Sequence, residues 1–494
     1  MSRPDRSSLS RRTFLERSAL ASAGLALPPW LLPGCSGSSS EPTPDGQSVP
    51  PLPYDPSKPW WLQGNFAPVL DELDVTDLPV TGAIPPELSG LYVRNGSNPQ
   101  KSDSPHWFFG DGMVHGLRFE AGKAKWYRNR YVKTPLYTSG TSFGGSGPPT
   151  PKANQSNVSM VHHAGRLLTS GEVGFPYELD PETLETKGVY DFAGKITTSF
   201  TAHPKIDPKT GQLHFFGYWF LDPYLTYSVA DATGAVITSE VIQVAKATMI
   251  HSFAITEKDA VFWELPVVFD LDAAMAGALN PYAWDPSYGA RIGVMPLGGA
   301  ADSIRWVEID ACYVFHEVNA YRDGDVVVVD VCRHPSMFDG QELYQGDPQN
   351  VRRWKIDTGK ADLSFSEEVV ADLQYELPTH DRRFTGRKHR HGWFVTTRDD
   401  PHTLDFGGTG HIDLVTGVSK VWDPGAARHA DEAFFVPGGS GEGEGWLLTF
   451  VYDHVQDSSA LVILDATNVD KGPVAEIALP RRVPHGFHAV WIPA

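Results

Sequence analysis

Short apolar segments separated by tight turns run through most of this 494-residue chain and constrain its fold more than any other feature. Met113–Phe119 and Ala124–Val132 flank the turn Glu120–Lys123, which is the pattern of a β-hairpin. Leu225–Ala230 and Val236–Val244 form a second pair of this kind. The 47 Gly and 40 Pro residues supply the turns that many short strands need. We therefore predict an all-β fold.

A weak repeat indicates how the strands are grouped. An apolar strand ends in Asp, a turn follows, and a second strand begins. The positions of this Asp are Asp180, Asp207, Asp231, Asp357, Asp413 and Asp465. Such units, recurring over about 400 residues, favour a propeller over a sandwich. Val326–Val331 is a continuous apolar run and is predicted to be a buried inner strand.

The clearest helix candidate is short. It covers Leu271–Leu279 and lies inside a long connection, Pro266–Gly299. We expect this connection to form a helical and loop cap over one face of the propeller.

Residues 1–35 are predicted to be an export signal. Arg11 and Arg12 precede a mildly apolar stretch, Ala19–Leu32, as in a twin-arginine signal. The stretch is short and contains two prolines, so it is not expected to span a bilayer. The residues before Cys35 loosely resemble a lipobox, which leaves ordinary cleavage and a lipid anchor with peripheral membrane contact both open. Either outcome places the protein in the periplasm or another extracytoplasmic space.

Composition sets the remaining limits. Residues 36–58 are rich in Ser, Pro and Gly and are predicted to be a flexible linker, followed by a single propeller domain at 59–494. The net charge of −19 argues against nucleic acid as a partner. Cys312 and Cys332 lie in apolar runs without metal-ligand spacing, so we expect buried free thiols. The sequence leaves the oligomeric state open.

Four of the eighteen histidines stand in short, unusual contexts. These contexts are Thr201-Ala202-His203-Pro204, Met249-Ile250-His251-Ser252-Phe253, Phe315-His316-Glu317-Val318-Asn319 and Gly486-Phe487-His488-Ala489. They are spread over the chain, but the inner strands of propeller blades end near the central axis. Distant histidines can therefore meet at one point. We leave out His115, His162, His163, His214 and His485 as metal ligands, and we expect Lys388–His391 to be a solvated loop.

With these segments the chain resembles the carotenoid cleavage oxygenase family, which includes the retinal-pigment-epithelium isomerase and the lignostilbene dioxygenases. The resemblance runs from about Trp60 to Ala494. Its other main segments are Gly90–Pro99, Gly110–Gly116 and Glu264–Asp270. The fold expected with it is a seven-bladed β-propeller.

The resemblance also implies a set of site residues. The iron(II) ligands would be His203, His251, His316 and His488. Three glutamates would orient the rings: Glu172 for His251, Glu376 for His316 and Glu432 for His488, with no carboxylate for His203. A carboxylate on the second ring N–H fixes the tautomer and the ring angle. Four neutral ligands leave up to two octahedral positions for O2 and solvent. Copper and zinc also accept imidazole, so the choice of iron follows from the resemblance.

The implied activity is O2-dependent cleavage of a conjugated C=C bond to two carbonyl products. The substrate would be a small hydrophobic molecule. Lignostilbene members typically carry Lys before the first glutamate, whereas this chain has Gly171, which favours a carotenoid or apocarotenoid. Stilbene cleavage is the alternative. A non-oxidative isomerase and a non-catalytic propeller that binds a partner are the rivals from other classes. Aromatic residues near Phe108, Phe109, Trp126 and Tyr131 either line a tunnel or belong to the core.

Overall fold

Seven antiparallel sheets of four to six strands form the blades of a β-propeller. The structure is a computed structural model that describes residues 49–140, 150–276, 278, 280–339, 350–398 and 404–494. Residues Val49–Ala494 make up one compact unit. The all-β, seven-bladed fold expected from the sequence is thus confirmed.

The strands of the first half of the propeller are short, and most have at least one buried face. In chain order they are β1 (Asp74–Val75), β2 (Val80–Gly82), β3 (Gly90–Ser97), β4 (Gly112–Glu120), β5 (Lys123–Tyr131), β6 (Ser159–His163), β7 (Arg166–Ser170), β8 (Tyr177–Leu179), β9 (Thr186–Val189), β10 (Lys205–Ile206), β11 (Leu213–Tyr218), β12 (Leu225–Ala230), β13 (Val236–Val241), β14 (Ala254–Ile255), β15 (Asp259–Glu264), β16 (Val267–Phe269), β17 (Tyr282–Trp284), β18 (Ala290–Pro296) and β19 (Arg305–Ile309).

The second half includes the longest strand among the described residues. Its strands are β20 (Tyr313–Asp323), β21 (Val326–His334), β22 (Asn350–Asp357), β23 (Ser364–Ala371), β24 (Tyr375–Thr379), β25 (His391–Arg398), β26 (Asp405–Asp413), β27 (Ser419–Trp422), β28 (Arg428–Ala430), β29 (Phe434–Pro437), β30 (Gly445–Asp453), β31 (Ser458–Asp465), β32 (Pro473–Ala478) and β33 (Ala489–Pro493).

Helices are few and short. The two α-helices are α1 (Pro135–Ser139) and α2 (Leu271–Met275) among the described residues. The 3-10 turns are Trp60–Leu62, Gly64–Phe66, Trp107–Phe109, Pro286–Tyr288, Ala301–Ser303, Arg382–Phe384 and Val469–Lys471. No helix in the described part of the chain is long and apolar enough to cross a membrane.

The blades follow one another along the chain. Their strand orders are β1-β5-β4-β3-β33 for blade 1, β6-β7-β8-β9 for blade 2, β10-β11-β12-β13 for blade 3, β14-β15-β18-β19 for blade 4, β20-β21-β22-β23 for blade 5, β24-β25-β26-β27 for blade 6, and β2-β32-β31-β30 with β28 and β29 for blade 7. Strand β20 contacts β14 and β24 in the neighbouring blades, and β33 contacts β6 and β29 in the same way. These are therefore inner strands of the ring.

The two ends of the propeller domain close the ring. Strand β33 comes last in the chain but supplies the inner strand of blade 1, where it pairs with β3 from Gly90↔Pro493 to Arg94↔Ala489. Strand β2 comes early in the chain but adds to the outer edge of blade 7, beside β32. Closure thus depends on residues far apart in sequence.

Both predicted hairpins are present, as β4–β5 and β12–β13. The Asp repeat has a common structural basis. Each of these aspartates follows or ends a strand, and its carboxylate accepts a hydrogen bond from a backbone N–H two residues further on: Asp180, Asp207, Asp231, Asp357, Asp413 and Asp465. In such a turn the Asp carboxylate accepts a backbone N–H that has no partner in a neighbouring strand.

Two local predictions were wrong. Val326–Val331 is part of β21 and is buried, but β20 lies between it and the axis, so β21 is the second strand of blade 5. The connection predicted at Pro266–Gly299 is shorter, since Ala290–Pro296 is β18, which pairs with β15 in blade 4. In the sequence, an apolar strand next to a helix candidate cannot be separated from an irregular connection until the strand that pairs with it is known. The expected cap itself stays a prediction.

Some of the remaining sequence predictions concern described residues, and others concern residues outside the described ranges. Cys312 and Cys332 are buried free thiols, as expected. The export signal and Cys35 lie outside the described residues. Of the predicted linker, only residues 49–58 are described. There the Pro50 carbonyl accepts a hydrogen bond from His454 Nε2 (3.0 Å), and Asp55 N donates to Gln63 Oε1 (2.6 Å). The boundary at residue 59 stays a prediction.

Candidate metal centre

The four predicted histidines all lie at the start of an inner strand. His203 precedes β10, His251 precedes β14, and His488 immediately precedes β33. His316 is the fourth residue of β20. These strands belong to blades 3, 4, 1 and 5 respectively. Because each inner strand begins near the axis, side chains separated by up to 285 positions in the sequence converge.

The ring nitrogens meet closely. His203 Nε2 lies 2.9 Å from His251 Nε2, and His316 Nε2 lies 3.3 Å from the Nε2 atoms of His251 and His488. One nitrogen from each of the four rings lies within 4.8 Å of the others. Three of the residues are buried and His203 is half-buried. Among the described residues this is the one cluster of three or more potential ligands of this kind.

The other nitrogen of three rings faces a glutamate. His316 Nδ1 donates to Glu376 Oε2 (2.6 Å), and His488 Nδ1 donates to Glu432 Oε1 (2.8 Å). His251 Nδ1 lies 2.8 Å from Glu172 Oε2, at an angle outside that of an aligned hydrogen bond. No carboxylate pairs with His203 in the described ranges.

The three glutamates come from the blades that supply no histidine. Glu172 follows β7 of blade 2, and Glu376 lies on β24 of blade 6. Glu432 sits between β28 and β29 of blade 7. Each of the seven blades therefore contributes one side chain to the centre. The glutamates are themselves held: Tyr218 OH donates to Glu172 Oε1 (2.8 Å), and Ala489 N donates to Glu432 Oε2 (2.9 Å).

Irregular strand pairing aims these side chains at the axis. In β20 the register against β21 shifts on both sides of Glu317, next to His316. In β24 the register shifts after Glu376, and Leu377 adopts a positive φ of 48°. A bulge adds a residue to one strand and redirects its side chains, and a non-glycine residue at positive φ is strained. The register shifts and the positive φ of Leu377 therefore lie beside His316 and Glu376, two of the side chains that converge at the axis.

Electrostatics keep two of the rings neutral. Burial, reinforced by the other three imidazoles, holds the pKa of His203 well below its ordinary 6.5. Burial also lowers the pKa of His316 to about 3, even beside Glu376. A neutral imidazole whose Nδ1 donates a proton carries a lone pair on Nε2. The Nε2 atom of His316 is in this state and faces the Nε2 atoms of His251 and His488 at 3.3 Å, an arrangement that a cation between the rings would stabilise. The donor set therefore fits a metal ion.

Apolar residues flank the cluster on two sides. Ala202, Leu377 and Phe487 are chain neighbours of His203, Glu376 and His488, and all three belong to one buried group with Trp107 and Phe406. The rings of Trp107 and Phe487 lie 4.5 Å apart. On another side, Phe315 packs edge-on against His251 at 5.2 Å.

The aromatic residues left open in the sequence fall into different places. Trp126 packs with Leu91 and Val490 in a core cluster, and Tyr131 packs in another with Val69 and Met113. Both are core residues. Phe108 is partly buried and packs against the apolar group beside the histidines.

The unassigned histidines lie apart from the cluster. His115 and His214 bind tyrosine hydroxyls, and His485 binds Asp431. His389 was expected in a solvated loop but is buried, 3.6 Å from Asp330, so that expectation was wrong for this residue.

Sequence reasoning missed His334, whose Nε2 donates to the second oxygen of Glu376 (3.0 Å). It ends β21 without any distinctive context, and only the pairing of β20 with β21 places it there.

Comparison with known proteins extends the likeness to the whole propeller. The family model described as retinal pigment epithelial membrane protein matches residues 66–493. A carotenoid cleavage oxygenase of Mycobacterium tuberculosis is 36% identical, covering 88% of this chain and 97% of its own. The carotenoid 9,10(9',10')-cleavage dioxygenase 1 of Arabidopsis thaliana is 34% identical, covering 89% of this chain and 91% of its own.

A solved structure supports the same assignment. The lignostilbene dioxygenase of Pseudomonas brassicacearum superposes with a TM-score of 0.82 at 28% identity, over 90% of this chain and 100% of its own. Blades, chain order and propeller closure are therefore shared over nearly all the described residues. The chain belongs to the carotenoid cleavage oxygenase family, that of the retinal pigment epithelial membrane protein.

Proposed function

We propose that this protein is a non-heme iron(II) dioxygenase that cleaves a conjugated C=C bond of a carotenoid or apocarotenoid to two carbonyl products. The observation that carries the proposal is the convergence of four imidazoles, three of which have a carboxylate at the opposite ring nitrogen. The names of the two relatives support both the reaction and the substrate class.

The side chains of the protein would hold the metal ion and orient the rings that bind it. Iron(II) would be held through Nε2 by His203, His251, His316 and His488. Glu376 fixes the ring of His316 and Glu432 fixes the ring of His488, each by accepting the Nδ1 proton. The bound iron(II) would activate O2 for attack on the alkene. Both oxygen atoms end in the two carbonyl groups, so no external reductant is consumed.

The buried aromatic group beside the ligands suits a conjugated hydrocarbon. Phe487 is the chain neighbour of His488, and Trp107 and Phe406 pack with it in one buried group that offers apolar ring surface on that side of the centre. An extended polyene gains from burial against such a surface and needs no charged partner. The task of these residues is to place one double bond against the ligand cluster.

Gly171 bears on the stilbene alternative. A Cβ atom at this position would lie 3.3 Å from both Asn154 Oδ1 and Ser156 N, which is tight. Asn154 Oδ1 already accepts a hydrogen bond from Ser156 N (2.9 Å). A Lys here, as lignostilbene members have, would need this turn to shift. The local packing therefore favours a substrate that needs no cation at this point.

The test is O2 uptake by purified, iron(II)-loaded protein with an apocarotenal and, separately, with a hydroxylated stilbene, with products analysed by mass. We expect uptake and paired carbonyl products with the apocarotenal. His316→Ala protein is the control and should show neither.

Other outcomes would select the alternatives. Uptake with the stilbene alone would make the protein a stilbene-cleaving enzyme. Iron without O2 uptake, but with a rearranged substrate, would support an isomerase. A protein that binds no iron would overturn the proposal and favour a binding module.

A further inference from the structure

His203 differs from the other three histidines of the cluster. It is the one member without a carboxylate partner among the described residues, and it lies in the turn before β10. Its backbone N–H donates to Thr201 Oγ1 (2.9 Å), which fixes the turn but not the distance from blade 3 to the other blades. Some other contact must hold His203 opposite His251 and His316.

A buried polar group directly beside the cluster makes this contact. Lys205 Nζ forms an ion pair with Glu317 Oε1, and Ser252 Oγ donates to Glu317 Oε2 (2.6 Å). Lys205 Nζ also lies 3.4 Å from Ser252 Oγ. The side chains of Lys205 and Glu317 are 15% and 5% exposed, so the pair is largely shielded from water.

Each member of this group follows a histidine of the cluster in sequence. Lys205 is two residues after His203, whereas Ser252 and Glu317 immediately follow His251 and His316. The group therefore joins blades 3, 4 and 5 at the level of the rings. Glu317 reaches the other two residues from a part of β20 where the register shifts on both sides of it.

We propose that Lys205, Ser252 and Glu317 form an inter-blade bridge that positions the His203 ring against the rings of His251 and His316. This proposal rests on the proposed function, since it assumes that the four rings bind a metal. The bridge substitutes for the carboxylate that His203 lacks: it fixes the backbone beside the ring instead of the ring nitrogen. These three residues are positioning residues and not ligands.

Cobalt(II) alone is the probe, because its visible absorption reports both occupancy and ligand geometry. Purified protein is titrated with Co(II) in competition with a chelator, and its spectrum is recorded. We expect Glu317→Gln and Ser252→Ala to raise the dissociation constant for Co(II), by about 10- to 100-fold for Glu317→Gln, as for other groups that orient ligands. The spectrum at saturation should also change.

A double variant separates positioning from stability. Glu317→Gln leaves a buried Lys unpaired and should lower the unfolding temperature, whereas Lys205→Met/Glu317→Gln removes both charges and should restore part of it. If the bridge positions His203, the double variant still binds Co(II) weakly. If the pair has only a structural role, the double variant recovers Co(II) affinity together with stability, and the proposal is wrong.

The ion pair Arg353–Asp330 supplies a matched control. Its side chains are 16% and 0% exposed, and it lies on β21 and β22 of blade 5, away from the ligands. Asp330→Asn should lower stability and leave Co(II) affinity unchanged. Should the unaltered protein fail to bind Co(II), the metal assignment itself fails. Binding that His203→Ala abolishes but the bridge variants leave intact would overturn this inference alone.

Discussion

The two nitrogens of each imidazole in the cluster have different neighbours. Toward the axis, the Nε2 atoms face only one another, at 2.9–3.3 Å for adjacent pairs. Away from the axis, Nδ1 of His316 and His488 meets a buried carboxylate. This division fixes the tautomer of the His316 and His488 rings, because a carboxylate can only accept the proton. Neutral rings with a defined lone pair are what a divalent cation requires.

Replacing one imidazole should abolish tight metal binding. For His316→Ala we expect the dissociation constant for iron(II) to rise by more than the roughly 100-fold seen when only an orienting group is lost. Metal content after gel filtration measures this. His214→Ala is the control, since His214 is equally buried but binds Tyr227 OH. Equal iron content in both variants would contradict the assignment.

Removing the charge of an orienting glutamate should have a smaller effect. Glu376→Gln keeps an oxygen that can accept from His316 Nδ1 but lowers the basicity of the ring, so we expect about 10- to 100-fold weaker iron(II) binding. Chelator competition checks this. Glu264→Gln should leave iron affinity unaltered, because the buried Glu264 carboxylate pairs with Arg291 and Tyr288 and not with a ring of the cluster. An unchanged affinity in Glu376→Gln would show that the carboxylate does not tune the ligand.

At the level of single strands, regular pairing builds the blades and irregular pairing builds the site. The pairings β6–β7, β11–β12 and β21–β22 run without a register shift. By contrast, β20 and β24 change register beside His316 and Glu376, and the inner strand of blade 7 breaks into β28 and β29 around Glu432. A regular strand alternates its side chains between two faces, whereas an inserted residue lets neighbours share one direction.

Strand β33 contributes both to a blade and to the site, because it completes blade 1 and begins beside His488. Ile492 is 8% exposed and packs with Leu91 and Trp126. Ile492→Ala should destabilise the protein by about 2–5 kcal/mol, from lost burial and the cavity left behind. The free energy of unfolding in urea measures the loss, and iron bound per folded chain should not change.

A surface substitution gives the reference for this measurement. Val455 is 55% exposed, so Val455→Ala should change stability by less than about 0.5 kcal/mol. If both variants unfolded at the same urea concentration, β33 would not be contributing to ring closure as its pairing indicates.

Over the whole molecule, the propeller brings together one residue from each blade, and the chain passes once around the axis to do so. The first described strands and the last strand both take part in closure, through β2 in blade 7 and β33 in blade 1. Because blades 1 and 7 both supply a side chain, the set of seven is complete only in the closed ring, which is the state that export after folding would carry. The export route itself is a proposal from the sequence.

Twin-arginine export predicts a defined effect of conservative substitutions. Arg11→Lys/Arg12→Lys keeps the charge but removes the paired guanidinium groups, so we expect the protein to stay in the cytoplasm. Cell fractionation measures its location, and the mass of the exported form shows whether Cys35 is lipidated. Export of the double variant at the normal level would contradict the proposed signal.

Much of the fold could be read from the chain because its signals are local. Turn residues such as Gly122 and Asp231 fix hairpins between neighbouring segments, and these hairpins are present as predicted. The contexts of His203, His251, His316 and His488 were also visible locally, and with the family resemblance they singled out one set from eighteen histidines. Where two adjacent segments had to be separated, as at Pro266–Gly299, local signals were not enough.

The sequence by itself determined the strand-and-turn units and the residue types available to a metal. The tertiary structure decided which side chains meet: His334 beneath Glu376, and Lys205 with Ser252 and Glu317 between three blades. It also decided that β20, not β21, lies at the axis, and that His389 is buried. The reason is physical, since hairpins follow from neighbours in the chain, whereas ring closure and strand register bring together residues whose separation in sequence carries no signal of their contact.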